Sequence, residues 1–169
     1  LKARGLYDPA AVVINESTVP AQGPTQLPAS AEIAKLAGDP ARGAGLVAAC
    51  YLCHRIGENG AEYGPNLTAF AKLQTAEVVI NAIVNPSAEI SHGYDGTTVT
   101  LKDGKVVQGI LLSSGDPLVV QSMGGVIQLI PADRVQSRER LGRSLMLSAE
   151  QLGLGAQQVA DIVAYLKRL

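Results

Sequence analysis

Hydrophobic and polar positions change their period along the chain, and those changes mark its parts. Near the end, Val159, Ile162, Val163 and Leu166 recur at i, i+3, i+4 and i+7, with Tyr165 beside them. That is the buried stripe of an amphipathic helix. In the middle the period drops to two. Thr97, Val99 and Leu101 alternate with their neighbours, and Asp103-Gly104 follows as a hairpin signal. A second strand is expected over Val106 to Leu112, a turn at Ser114-Gly115-Asp116-Pro117, a third strand over Leu118 to Gln121, a turn at Gly124-Gly125 and a fourth strand over Val126 to Ile130. Together these predict a small antiparallel β-meander at about residues 95–136. Before it, Val78, Val79, Ala82 and Ile83 share one face of a helix predicted from Thr75 to Val84, which Asn85-Pro86 stops.

Start and stop signals place the rest. Asp39 can cap the free N–H groups of a helix and Pro40 fits its first position, so a helix should run from Pro40 to about Ala49 and deliver the chain to Cys50. Ser30 is a candidate cap for a short helix over Ala31 to Ala37, ended by Gly38. Residues 55–69, with Gly57, Gly60, Gly64 and Pro65, read as a loop. Residues 1–28, with Pro20, Gly23, Pro24 and Pro28, read as a linker or extended arm. Residues 29–169 then form a single domain carrying the β insertion.

Charge narrows the function classes. Fourteen basic and fifteen acidic residues are interspersed, and no basic patch offers a footprint for a phosphate backbone. The apolar runs are too short to span a bilayer. The chain begins at Leu1 without an initiator Met or a signal-peptide pattern, as expected of a processed form or a piece of something longer. Aromatic residues make up only 4%, with no Trp and one Phe. A buried macrocycle would help to fill such a core.

The chemistry sits at Cys50-Tyr51-Leu52-Cys53-His54. Cys-x-x-Cys-His is the attachment pattern of a c-type haem. Two thiols at this spacing can each form a thioether with one haem vinyl group, and the adjacent His54 is then held beneath the iron as an axial ligand. Three other uses of the pair compete. Structural zinc wants four Cys or His ligands, and the chain offers Cys50, Cys53, His54 and His92 with no second paired motif. A thioredoxin-like pair needs a strand before the motif and a helix after it, whereas here a helix precedes and a Gly-rich loop follows. A disulfide across two intervening residues is strained.

The stretch Gly38-Asp39-Pro40-Ala41-Arg42-Gly43, the helix, the Cys-x-x-Cys-His motif, Gly64-Pro65-Asn66-Leu67-Thr68 and the ending Met146 plus terminal helix with Tyr165 together resemble the class I cytochrome c family. The resemblance covers residues 38–92 and 140–169. It implies a mainly α fold, a class I core of short helices around one haem, with the β-meander inserted. It also implies that a small residue of the first helix, Gly43 or Gly45, faces Tyr165 of the last. Pro65 would accept a hydrogen bond from the His54 ring and fix the axial ligand, and Leu67 would pack on the haem face. The insertion, with Lys102-Asp103-Gly104 between haem motif and Met, looks like the C-terminal haem-binding domains of large secreted dehydrogenase-like proteins of some bacteria.

For the sixth ligand the sequence offers Met146, Met123 and His92. The family takes a Met from a loop before the terminal helix, which points to Met146, although Leu147 stands where the family often has Pro. Thioether ligation favours ferrous iron and raises the reduction potential. Arg143 is a candidate partner for a haem propionate. The resulting expectation is a one-electron carrier, not an enzyme, with one covalent haem c and iron held by His54 and Met146. Its expected partners are redox proteins, a dehydrogenase among the candidates. Thioether attachment occurs outside the bacterial cytoplasm, which implies a periplasmic or extracellular location. The alternatives are a sensor, ligand-binding or peroxidase-like module with an exchangeable sixth site, and an interaction module built on the meander.

Overall fold

The computed structural model describes residues 8–169, so residues 1–7 of the expected arm lie outside the described part. The chain divides into two compact units. One holds residues 8–19 and 91–145, the other residues 20–90 and 146–169. Helix accounts for 32% and strand for 20%, with a five-stranded antiparallel sheet. The expectation of a mainly α class I core is therefore overturned: this is a mixed α and β fold. The reason is physical as well as numerical. The sheet buries its own apolar cluster of Ile14, Val99, Leu101, Val107, Leu118, Val120 and Ile130, where a decorative hairpin would bury little.

The sheet unit consists of β1 (Gly96–Leu101), β2 (Val106–Ser113), β3 (Leu118–Ser122), β4 (Val126–Ile130) and β5 (Val135–Arg140), in the order β4-β3-β2-β1-β5. The first four follow the period-2 pattern closely. β5 lies outside that pattern: it returns beside β1, with Val99 opposite Arg138, and adds a fifth strand to the four of the meander. Its Arg138, Glu139 and Arg140 are exposed, and charge on an edge strand hinders pairing with further chains. Part of the expected arm also belongs here. Ser17 makes a parallel bridge with Val107. The Gln128 side chain accepts from Asn15 N–H at 2.9 Å and the Gln108 side chain accepts from Val19 N–H at 2.7 Å. These bonds satisfy an extended segment that has no second strand beside it over most of its length.

The helical unit consists of α1 (Ser30–Ile33), α2 (Pro40–Leu46), α3 (Leu67–Leu73), α4 (Ala76–Val84) and α5 (Ala156–Arg168). α1 is shorter than expected, and Ser30 is its first residue rather than its cap; the hydroxyl donates to Asn81 at 3.2 Å instead. α2 starts as expected, with Asp39 accepting from Ala41 N–H and Arg42 N–H. It ends three residues early and tightens into a 3-10 turn, Val47–Leu52, that carries Cys50. α3 begins within the last three residues of the stretch read as a loop, 55–69. Asn66 caps it by accepting from Ala69 N–H at 3.1 Å. At its other end the Lys167 ammonium donates to the carbonyls of Ala71 and Gln74 at 2.8 and 2.7 Å, a cation at a helix C-terminus. α4 buries Val79, Ile80 and Val84, while Val78, expected inside, is 40% exposed. The stripe of α5 is as expected: Val159, Ile162, Val163 and Leu166 are all buried.

α2 packs on α5, and glycine makes the approach possible. A Cβ at Gly43 would overlap the Asp161 carbonyl and stand 2.9 Å from Tyr165 Cβ, whereas one at Gly45 would meet nothing. Gly43 is therefore the small residue facing Tyr165. Beside it, Asp161 is buried and fully engaged. It accepts from Asp39 N–H at 2.8 Å, from Arg42 Nε and Nη2 at 2.8 and 2.9 Å and from Gln157 at 2.9 Å. The Arg42 fork, helped by the Asp39 N–H, holds this carboxyl well below the usual carboxylate range. A depressed folded-state pKa contributes stability above the unfolded value of ~3.9 and loses it as the pH falls further. In urea titrations between neutral and acid pH, Asp161→Asn should be less stable at pH 7 and should lose less stability than wild type below about pH 4. An equally steep acid loss in the variant would show that other groups dominate.

No helix among the described residues is long and apolar enough to cross a membrane.

Candidate functional site

The Cys-x-x-Cys-His segment is folded as one turn. Cys53 N–H and His54 N–H both donate to the Cys50 carbonyl, at 3.1 and 2.8 Å. The tight turn keeps Cys50, Cys53 and His54 on one short stretch of main chain. The turn is delivered by α2 and anchored by buried Val47. Neither cysteine is tied up in a disulfide, and both are half-buried. Burial pushes the Cys50 thiol up, the reverse of the depressed thiolate that a redox-active Cys-x-x-Cys pair needs.

The following loop returns over the turn by main-chain bonds. Ala61 N–H donates to Tyr51 O at 2.9 Å, and Tyr63 N–H and Gly64 N–H donate to Cys53 O at 3.0 and 2.6 Å. Leu67 N–H then donates to Arg55 O at 2.9 Å, so α3 begins against the motif. Arg55 is paired with Glu62 and Glu58 at 2.8 and 3.1 Å, which staples the exposed side of the loop. Leu67, expected on a haem face, is partly buried against the helical core.

His54 is 7% exposed. Its Nδ1–H donates to the Pro65 carbonyl at 2.7 Å. Gly64 lies under the ring: a Cβ there would stand 2.7 Å from Nδ1, so any side chain would displace the imidazole. Burial lowers the His54 pKa, with the Pro65 bond opposing in part, so the neutral ring prevails at pH 7. A neutral imidazole that donates from Nδ1 keeps the Nε2 lone pair for a metal.

The other expected residues fall as follows. Met146 is half-buried in the irregular segment that leads to Ala149, whose N–H donates to Ile83 O at 2.8 Å. It belongs to the same unit as His54, whereas His92 and Met123 belong to the sheet unit. Arg143 also belongs to the sheet unit, where its guanidinium donates to the carbonyls of Val19 and Ser144. It thereby ties down the extended segment.

Sequence reasoning does not single out Tyr63, yet its hydroxyl is the only buried side-chain nitrogen or oxygen among the described residues without a hydrogen-bond partner. Such a group costs about 1–3 kcal/mol. In the sequence its signal is only a Tyr next to Gly64-Pro65.

Among the described residues no group of three or more His, Cys, Asp and Glu is gathered as a metal cage. A haem needs none, because its ring supplies four of the iron's bonds and the protein one or two. Two thiols on one turn, an oriented neutral imidazole and an unpartnered buried hydroxyl beside them are a donor set that fits a haem. The chain matches no protein-family model and no curated protein.

Proposed function

We propose that the chain carries one covalently attached haem c and transfers single electrons. The observation that supports this best is the Cys50–His54 turn, in which His54 follows the paired thiols directly and is fixed by Pro65 at 2.7 Å. Cys50 and Cys53 would hold the haem covalently, through thioether bonds to its two vinyl groups. His54 would offer Nε2 to the iron, with Pro65 and Gly64 holding its ring in position. Met146 is the proposed sixth ligand, as the one candidate in the His54 unit. The haem, when bound, supplies a one-electron ferric/ferrous couple. With His54 and Met146 both offered to the iron, the chain's part in the transfer would be to keep the ligand set unchanged between the two states. Burial of His54 keeps water and competing ligands from that side. The haem chemistry implies assembly outside the bacterial cytoplasm, in the periplasm or beyond, with redox proteins as partners.

The visible spectrum of the oxidised protein, with and without imidazole, tests the ligand set. The wild type is expected to show the weak red-end charge-transfer band of a thioether on ferric haem and to change little with imidazole. Met146→Ala should lose the band and take up imidazole. A wild type that lacks the band and shifts readily with imidazole would have an exchangeable sixth site, and ligand binding would replace electron transfer as the reading.

A further inference from the structure

Asn59-Gly60, Asp95-Gly96 and Asp103-Gly104 each place glycine after a residue whose side-chain carbonyl carbon the next main-chain nitrogen can attack. Glycine has no Cβ to crowd that nitrogen. Two of the three are engaged. Asp95 accepts from Arg140, and Asp103 accepts from Lys105 N–H at 3.2 Å. Gly104 N–H is also spent, on Leu101 O at 2.9 Å. Asn59 differs. It is exposed, and its side chain has no hydrogen-bond partner among the described residues. Its main chain is pinned to Ile56 all the same: Asn59 N–H donates to Ile56 O at 3.1 Å, and Asn59 O accepts from Ile56 N–H at 2.8 Å. Gly60 N–H has no acceptor among the described residues. Other asparagines are shielded. The Asn66 side chain accepts from Ala69 N–H, the Asn81 side chain accepts from Ser30 and Asn85, and Asn85 precedes Pro86, whose nitrogen carries no hydrogen.

We propose that Asn59-Gly60 is a site of spontaneous deamidation, which turns Asn59 chiefly into isoaspartate and loosens the loop that closes over the motif. Hydroxide takes the Gly60 N–H proton, and the nitrogen bonds to Asn59 Cγ. The side-chain amide nitrogen leaves as ammonia, taking a proton from water and regenerating hydroxide. Water then opens the resulting cyclic imide. Opened at the main-chain carbonyl, it leaves isoaspartate, whose main chain runs through the side-chain methylene and is one carbon longer. That carbon falls between two fixed points. Before it is the pairing of Asn59 with Ile56. After it, Gly60 has φ +98 and lies so close to the motif that a Cβ would overlap the His54 carbonyl, and Ala61 N–H donates to Tyr51 O at 2.9 Å. A longer main chain cannot keep both. The new carboxylate also enters a stretch where Arg55 already serves Glu58 and Glu62.

The test holds the intact, folded chain at mildly alkaline pH and follows its peptides by mass spectrometry, with isoaspartate detected by enzymatic methylation of its carboxylate. The peptide containing Asn59 should lose its side-chain amide progressively and gain isoaspartate, while those containing Asn66, Asn81, Asn85 and Asp103 stay unchanged. Asn59→Gln, whose longer side chain closes the ring poorly, should abolish the modification. In the converted wild type, hydrogen-exchange protection at Ala61 N–H should be lost. Asn59→Asp has the charge but an ordinary main chain, so it should keep that protection. Conversion of Asn59 no faster than that of Asn66, conversion only after unfolding in urea, or isoaspartate that persists in Asn59→Gln overturns the site. Equal loss of protection in Asn59→Asp overturns the loosening by a longer main chain. None of these readouts needs a bound haem, so they stand apart from the test of the electron-transfer reading.

Discussion

Replacing Cys50 and Cys53 together by Ala is expected to abolish the retention of haem in denaturant completely. In the proposed ligand set, bonds from His54 and Met146 to iron would depend on the fold and be lost when it unfolds, whereas thioether carbon–sulfur bonds would not. In wild-type protein matured with haem, unfolding followed by gel filtration should leave all haem absorbance with the chain. In the double variant it should leave none, while each single variant keeps one bond and retains haem. The reactive groups are suited to this. The thiols sit half-buried on one turn closed by the two bonds to the Cys50 carbonyl. Their substitution by Ala leaves the main-chain bonds of that turn in place, so the loss would report chemistry rather than collapse. Haem that stays with the unfolded double variant would mean attachment elsewhere.

The second large effect concerns the α2–α5 contact that delivers the motif. Gly43→Ala should destabilise the protein by about 1–3 kcal/mol, since the added methyl meets the Asp161 main chain and cannot be relieved by a rotamer change. Gly45→Ala, two positions on, should stabilise it by roughly 0.5–1 kcal/mol, the ordinary gain of Ala over Gly inside a helix. Nothing lies within 4 Å of a Cβ there. Two identical substitutions in one short helix should thus act with opposite signs. Urea unfolding of both variants reads this directly, and equal shifts would mean that α2 does not approach α5 through Gly43.

Parts of the molecule governed by local pattern are legible in the sequence. The stripe of α5, the Asp39-Pro40 start of α2 and the first four strands each follow from neighbours a few residues away. Parts governed by distant partners are not. α3 begins inside a Gly-rich stretch and is held by Lys167, nearly a hundred residues on. β5 has no alternation to betray it, because three exposed charged residues line an edge and only its pairing with β1 makes it a strand. Residues 12–19 read as an arm, yet Gln108 and Gln128 supply the hydrogen bonds that a strand partner would have given. With β5 and this segment hidden, the sheet reads as four strands, whereas it has five and buries a core of its own.

The candidate site divides in the same way. Cys50, Cys53, His54 and Pro65 are neighbours in sequence, and their chemistry depends on spacing. Tyr63 and Arg143 differ, because what their polar atoms meet is settled by folding. Arg143 has main-chain carbonyls as partners, and the Tyr63 hydroxyl has none among the described residues.

The central claim is that Cys50 and Cys53 hold a haem by covalent bonds. Intact-mass spectrometry of the chain, produced in a host that attaches c-type haem and then denatured, tests it most directly. The expected result is the mass of the polypeptide plus one haem, with the added mass confined to the peptide that contains Cys50 and Cys53. A chain of unmodified mass, obtained where a known c-type cytochrome matures fully in the same cells, would contradict it.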